Sequence, residues 1–521
     1  MAARRVALAG VRAVGPAAAI GLVLALTPAN ALGHAIGKPF QLPIQLWLFL
    51  AGAGTAVGAS FVISAIVVRV SPDVPRYPRL VLPGLPTRLL SPPLALIGLI
   101  WWYGAIVTAL VIGGESPIPG ILFWIFIWVG LPIVAAIAGN PWPSLSPFRS
   151  TFSILEAIAR FFGLDRLDLG LRYPARLGRW PAVFLLFAGI WSELVMPDVA
   201  APDTVAFLLG GYTLITLIGM ACFGRVAWLR NAELFEVLLG WFGRIGPIGR
   251  RVIDANACGG CAEHCDPDRC VDCPECSVAA DARERRPELR PWFAGLTEVR
   301  RGGWSDAGFI VLALAGVTYD GLRSTSQWVA VSNWFFPYVY PALDPLKALL
   351  VTGTVGLLVI WLAFFLIFSI GATITRFLSD RARLSGTSLG GTVGAYAATL
   401  LPIAGGYLIA HYATLVIQGA VWLPQVIRDP RAPAPPLDAI PTSVIWYLSV
   451  GAIVLGHIAA IVLSHRVALR DAPSRPIAAG VPLALLMIGY TVLSLWIIGQ
   501  PLVVEPGQAA SFLLRALGLG A

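Results

Sequence analysis

Between Cys258 and Cys276 the chain reads CGGCAEHCDPDRCVDCPEC, so six of its seven cysteines fall within nineteen residues. The spacing is Cys258-x2-Cys261-x3-Cys265-x4-Cys270-x2-Cys273-x2-Cys276, with His264 inside it. A C-x2-C pair lets two thiolates from one tight turn reach the same ion, and Gly259 and Gly260 supply backbone freedom for such a turn. The pairs 258/261 and 270/273 would close one tetrahedral zinc site and leave Cys265, Cys276 and His264 over. Six thiolates also admit two metals with bridging sulfurs, or one closed site beside redox-active thiols. An iron-sulfur cluster is the rival, because Cys270-x2-Cys273-x2-Cys276 has the first three-cysteine spacing of a bacterial ferredoxin run. The x3-Cys-Pro that should follow is missing, so a fourth ligand would come from upstream. An all-cysteine set favours a structural metal over a catalytic one, which keeps an open position. Cys222, alone at the end of an apolar run, reads as a packing residue.

A second set of residues lies inside apolar stretches, where ionisable side chains are costly and mark functional sites. These are Glu193 in GIWSELVMP, Asp320 in GVTYDGLRS, His411 in YLIAHYATL and His457 in VLGHIAA. Glu193, Asp320 and His411 fall toward the same ends of their helices. Two carboxylates and one or two histidines could bind a divalent metal or relay protons there, with His34 as a further candidate if the chain is cleaved before it. Taken singly, the carboxylates read as caps in the headgroup region and the histidines as interhelical hydrogen-bonding groups. Only convergence of several would make a catalytic or binding site.

The elements that must position these residues are membrane-spanning helices. The 521 residues are 57% hydrophobic and 12% charged, and the mean hydropathy is +0.78, which excludes an ordinary soluble domain. Apolar runs of about 20 residues are continuous rather than alternating, so they are α-helices and not barrel strands. The expected fold is an all-α polytopic bundle with ten spans, at 46–70, 93–113, 119–139, 181–197, 203–223, 305–322, 346–371, 391–418, 443–464 and 477–499.

Residues 1–33 resemble a signal peptide or an uncleaved first helix, with Arg4, Arg5 and Arg12 ahead of an apolar stretch. Residues 34–224 and 305–521 then form two five-helix halves around an insert at 225–304. Five spans per half also suit an inverted-repeat transporter. Every second loop is rich in arginine, so the positive-inside rule places both termini outside and the cysteine insert in the cytosol of a bacterial inner-membrane protein. Cytosolic thiols stay reduced, which argues for metal or redox chemistry rather than disulfides. The net charge of +9 therefore reports orientation and not nucleic-acid binding. The lipid bilayer and a metal ion are the expected partners.

Two further stretches are amphipathic and are expected at the membrane surface or docked on the bundle. In 150–162, Ser153 and Glu156 have capping-box spacing and Ile154, Leu155, Ile158, Phe161 and Phe162 share a face. In 231–245, Asn231 is the expected cap before Leu234, Leu238, Trp241 and Ile245. The segment 139–150, GNPWPSLSPFRS, reads as a re-entrant or gating element or, more commonly for such a sequence, as a helix stop with Trp142 as an interfacial anchor, and the Pro-rich 428–441 as an extended linker.

The stretches LPIQLWLFLAGAGTAVGASFVI (42–63), LRPWFAGL and GVTYDGLRSTSQW (within 289–328) and AGGYLIAHYATLVIQG (404–419) resemble a poorly characterised family of bacterial multi-pass membrane proteins, some catalogued as fenitrothion hydrolase. The resemblance implies a membrane-bound activity on organophosphate triesters, for which Asp320, His411 and Glu193 are the candidate catalytic residues. Three functions follow as expectations. The first is transport or membrane assembly with a metal-bearing cytosolic module, the second electron transfer through an iron-sulfur centre, and the third metal-dependent hydrolysis.

Overall fold

The computed structural model describes residues 45–68, 77–82, 87–112, 114, 116–259, 270–273, 276–277, 280, 284–297, 302–340, 342–381, 384–437 and 440–500. The leader and His34 lie outside them, as do Cys261, His264 and Cys265. Helices α1 (Leu46–Val67), α2 (Thr87–Ile112), α3 (Ile118–Ile137), α4 (Pro147–Phe161), α5 (Trp180–Leu194) and α6 (Pro202–Phe223) precede the insert, and α7 (Leu234–Phe242) lies within it. After it come α8 (Trp304–Arg323), α9 (Ser326–Val339), α10 (Pro345–Leu378), α11 (Leu389–Arg428), α12 (Thr442–Asp471) and α13 (Pro476–Ile498).

The chain is thus an all-α bundle, and among the described residues eight helices are long and apolar enough to cross a membrane. Each of the ten expected spans coincides with a helix. The two outside the eight are α5, only 15 residues long, and α8, which carries Asp306, Asp320 and Arg323. Helix α9 was not expected; its Val331, Trp334 and Tyr338 are exposed, and its apolar run is too short to read as a span.

Burial separates central from peripheral helices. In α3 and α11, 78% and 72% of the most apolar window is buried, against 11% for α1, so α3 and α11 supply the interior walls. Where α11 crosses α12 the backbones meet through glycine. A Cβ on Gly406 would stand 2.4 Å from the Ala452 carbonyl oxygen, and one on Gly456 would stand 2.4 Å from that of Pro402. Without a hydrophobic force between helices in lipid, such close approach is what holds them together.

The first half packs around Trp102, whose ring meets Phe123, Phe148, Tyr212 and Phe235 and whose indole N–H donates to Thr213. This cluster decides between the two expectations for α7 and corrects two others. Helix α7 is buried along its whole length and so is docked on the bundle. Its cap is Glu233, not Asn231: the carboxylate accepts from the backbone N–H of Phe235 and Glu236. Trp142 is buried and donates to Glu233 at 3.0 Å, so it is no interfacial anchor. Helix α4 likewise begins earlier than Ser153, at Pro147, with Ser146 as its cap.

Two strands of the insert, β2 (Ile248–Val252) and β3 (Arg285–Leu289), join β1 (Leu80–Val81), which lies between α1 and α2, in a small antiparallel sheet of order β1, β3, β2, with Ile248 opposite Leu289 and Val252 opposite Arg285. The Pro-rich stretch after α11 has no regular structure over 432–437. Trp422 and Gln418 hold it by donating to the carbonyls of Ala432 and Pro435.

Candidate functional site

Helix α5 starts level with α8, where Arg179 pairs with Asp306 and Ser305 Oγ accepts the Arg179 N–H. The two helices then run together, with Ile190 packed where a Cβ on Gly316 would stand. Helix α5 ends at Leu194, beside Trp128, the eleventh of the twenty residues of α3. Its penultimate residue, Glu193, meets α3 about halfway along, at Trp128.

There the structure brings together Glu193, Asp320 and His411, the three candidates read from separate apolar stretches. Asp320, 3% exposed, lies 2.8 Å through Oδ2 from Nε2 of His411 and accepts the Tyr412 hydroxyl at 2.7 Å. The same hydroxyl lies 3.4 Å from Glu193 Oε1, and Trp128 Nε1 donates to Glu193 Oε2 at 2.8 Å. Arg323 places Nε 3.5 Å from Asp320 Oδ1 and donates to the Leu194 carbonyl, closing the end of α5. The chain of contacts is His411, Asp320, Tyr412, Glu193, Trp128.

The cluster sets two carboxylates, Asp320 and Glu193, and the imidazole of His411 around one guanidinium, Arg323, so it gathers groups able to exchange a proton or meet a cation. A cavity of about 60 Å³ opens on Glu193 and Tyr412 and is otherwise lined by apolar side chains, among them Leu186, Ile190, Leu238, Phe242 and Leu408. The ring of Tyr407 stacks on His411 at 5.9 Å, and Gly321 leaves the space its hydroxyl fills, since a Cβ there would lie 2.4 Å from it.

His457 does not join the cluster. It is fully buried in α12 and bonds through Nδ1 to the Ile453 carbonyl of its own helix. Tyr412, Trp128 and Arg323 are additions to the sequence reading. Arg323, three residues after Asp320, had a helical ion-pair spacing that could have marked it; nothing in the sequence singles out Trp128.

At the insert, Cys258, Cys270 and Cys276 are buried and their sulfur atoms all lie within 4.8 Å of one another. Cys273, 5% exposed, packs in the same cluster with Val252 and Ala280. The trio includes Cys276, which pairing of the two C-x2-C motifs leaves over, and does not include Cys273. The turn at Cys270–Cys273 is fixed by Asp272, whose φ of 48° is in the left-handed region. Its carboxylate accepts from the Arg250 N–H at 2.6 Å and from Arg290 Nη2 at 2.8 Å.

The Arg290 side chain is fully buried, pairs also with Glu288 at 3.2 Å, and donates to the carbonyls of Gly243 and Gly246. Burial disfavours its charge, but Asp272 and Glu288 more than offset this and hold its pKa above the ordinary value. Burial, with Glu288 beside it, pushes the Tyr77 phenol well above its usual range. Three buried thiols at this separation fit a metal ion, and soft ligands select thiophilic ones.

No protein-family model matches this chain, and neither a curated protein nor a solved structure matches it at a significant level.

Proposed function

We propose that the protein is a membrane transporter that couples movement of its solute to protonation of the Asp320–His411 cluster, with the cysteine module as a metal-bearing structural element on the cytosolic side. The observation that carries this reading is the continuous contact chain from His411 through Asp320 and Tyr412 to Glu193 inside the bundle, at the end of a helix that stops partway along its neighbour. Histidine–carboxylate chains within membranes serve as proton relays. Zinc is the ion assigned to the cysteines, which would hold it as thiolates and fix the insert; the all-sulfur donor set and the basic, inward-facing loop support that assignment.

The test is solute-dependent dissipation of a pH gradient across proteoliposomes containing the full chain, with pools of cations, organic anions and neutral solutes offered in turn. The expected result is dissipation by the wild type with at least one pool, slowed at least about tenfold by Asp320→Asn or His411→Ala. Failure of every pool, or wild-type rates in both variants, would reject transport at this site. If instead the wild type hydrolysed a phosphotriester and Asp320→Asn did not, the hydrolase reading suggested by the family resemblance would replace it. Iron with visible charge-transfer absorbance in anaerobically purified protein would replace zinc with an electron-transfer centre.

A further inference from the structure

The segment from Pro147 to Arg179 carries surfaces that the transport site does not use. Helix α4 buries Phe148 and Phe152 against the bundle, while Ile154, Ile158, Phe161 and Phe162 stand exposed on another side of the helix. At 3.6 residues per turn, that apolar stripe lies roughly 130° around the axis from Ser153 and Arg160. The helix thus has a protein side, an apolar side and a polar side, the partition expected where protein, lipid and water meet.

Contacts beyond α4 fix where this happens. The N–H groups of Leu169 and Leu171 donate to the carbonyls of Ala221 and Cys222 at 2.7 and 3.0 Å, which pins the segment to the last turn of the spanning helix α6. Exposed Ile215 and Ile218 of α6 continue the apolar surface into the bilayer. Charge then narrows the occupant. Arg149 and Arg179 pair with Glu236 and Asp306, Glu156 with Arg225, and Asp168 with Arg166. Exposed Arg160, Arg172 and Arg176 remain against Asp165 alone, an excess of two positive charges at the membrane rim.

We infer that this segment is a docking surface for anionic phospholipid, whose acyl chains cover the Phe161 side of α4 and whose phosphate headgroups pair with Arg160, Arg172 and Arg176. Zwitterionic lipid would cover the apolar side equally well, but only an anionic headgroup offsets the charge excess.

The test places the full chain in nanodiscs of phosphatidylcholine, alone or mixed with phosphatidylglycerol. Native mass spectrometry then counts retained lipid, and hydrogen exchange follows the amides of 154–163. The wild type should retain phosphatidylglycerol about tenfold over phosphatidylcholine. The Arg160→Gln/Arg172→Gln/Arg176→Gln variant should lose that preference while unfolding at the same temperature. In Phe161→Ser/Phe162→Ser, the amides should exchange at least about tenfold faster. An equal taste for both lipids in the wild type, or a preference that survives the triple variant, would overturn the headgroup assignment. Wild-type amides exchanging as fast in the bilayer as in the serine variant would show the face uncovered by lipid, and a protein partner would take its place.

Discussion

Tyr412 is the residue on which the bundle site turns, since its single hydroxyl touches both Asp320 and Glu193. Tyr412→Phe keeps the ring and its packing but cuts that link. Solute-driven proton movement should fall at least about tenfold, while the thermal unfolding temperature in detergent stays within a few degrees of wild type. Gly321 acts at the same scale by size alone. Gly321→Ala drives a carbon to 2.4 Å from the Tyr407 hydroxyl and 2.8 Å from Ile497, and should destabilise the protein by about 1–3 kcal/mol. Thermal unfolding of the pair Gly321→Ala and Tyr407→Phe makes the cause explicit. If the hydroxyl is the obstacle, the double variant recovers part of the loss, a non-additivity expected of residues in contact.

Among the elements, α7 and the sheet are tied to the cysteine turn by one side chain. Arg290 bonds Asp272 between two cysteines, Glu288 on β3, and the carbonyls at the end of α7. Removing one partner of a buried charge network costs about 3–5 kcal/mol because the remaining charges are stranded. Arg290→Met should therefore loosen the insert and leave the spans intact. Limited proteolysis should cut between β2 and β3, and thiol reagents should reach Cys258, Cys270 and Cys276, while the helical signal is unchanged. The crossing of α11 and α12 depends on a different device. Gly456→Ala places a carbon 2.4 Å from a backbone oxygen that cannot swing away, so the helices must separate, and a loss of about 1–3 kcal/mol is expected in thermal unfolding.

For the molecule as a whole, the bundle and the cysteine module differ in what holds them. The bundle is stabilised by burial of long apolar faces and close helix crossings, whereas the module is small and is held by the buried ion pairs of Arg290, to which the proposed metal would add. A strong chelator added to purified protein should open the module and raise thiol reactivity, with the bundle unfolding at a separate, higher temperature by scanning calorimetry; a single unchanged transition would count against a structural metal. The membrane class and the positions of the spans were legible in the sequence because they depend on runs of apolar residues along the chain, a one-dimensional property. That cysteines would gather was legible for the same reason, since Cys258, Cys270 and Cys276 are close in sequence, but which of them meet was not. Short-range patterning misled where tertiary packing decided: the stripe of α7 reads as a surface helix, but the aromatic cluster around Trp102 buries all its sides. Glu193, Asp320 and His411 could be named from their apolar surroundings, yet their convergence could not. It depends on α5 ending beside the middle of α3 and on the register of α8 against α11. The sequence by itself therefore determined that this is a helical membrane protein with a thiol-rich insert and a few costly polar residues. Only the tertiary structure decided which of those residues meet, because contact between helices is set by crossings and lengths that no local pattern encodes.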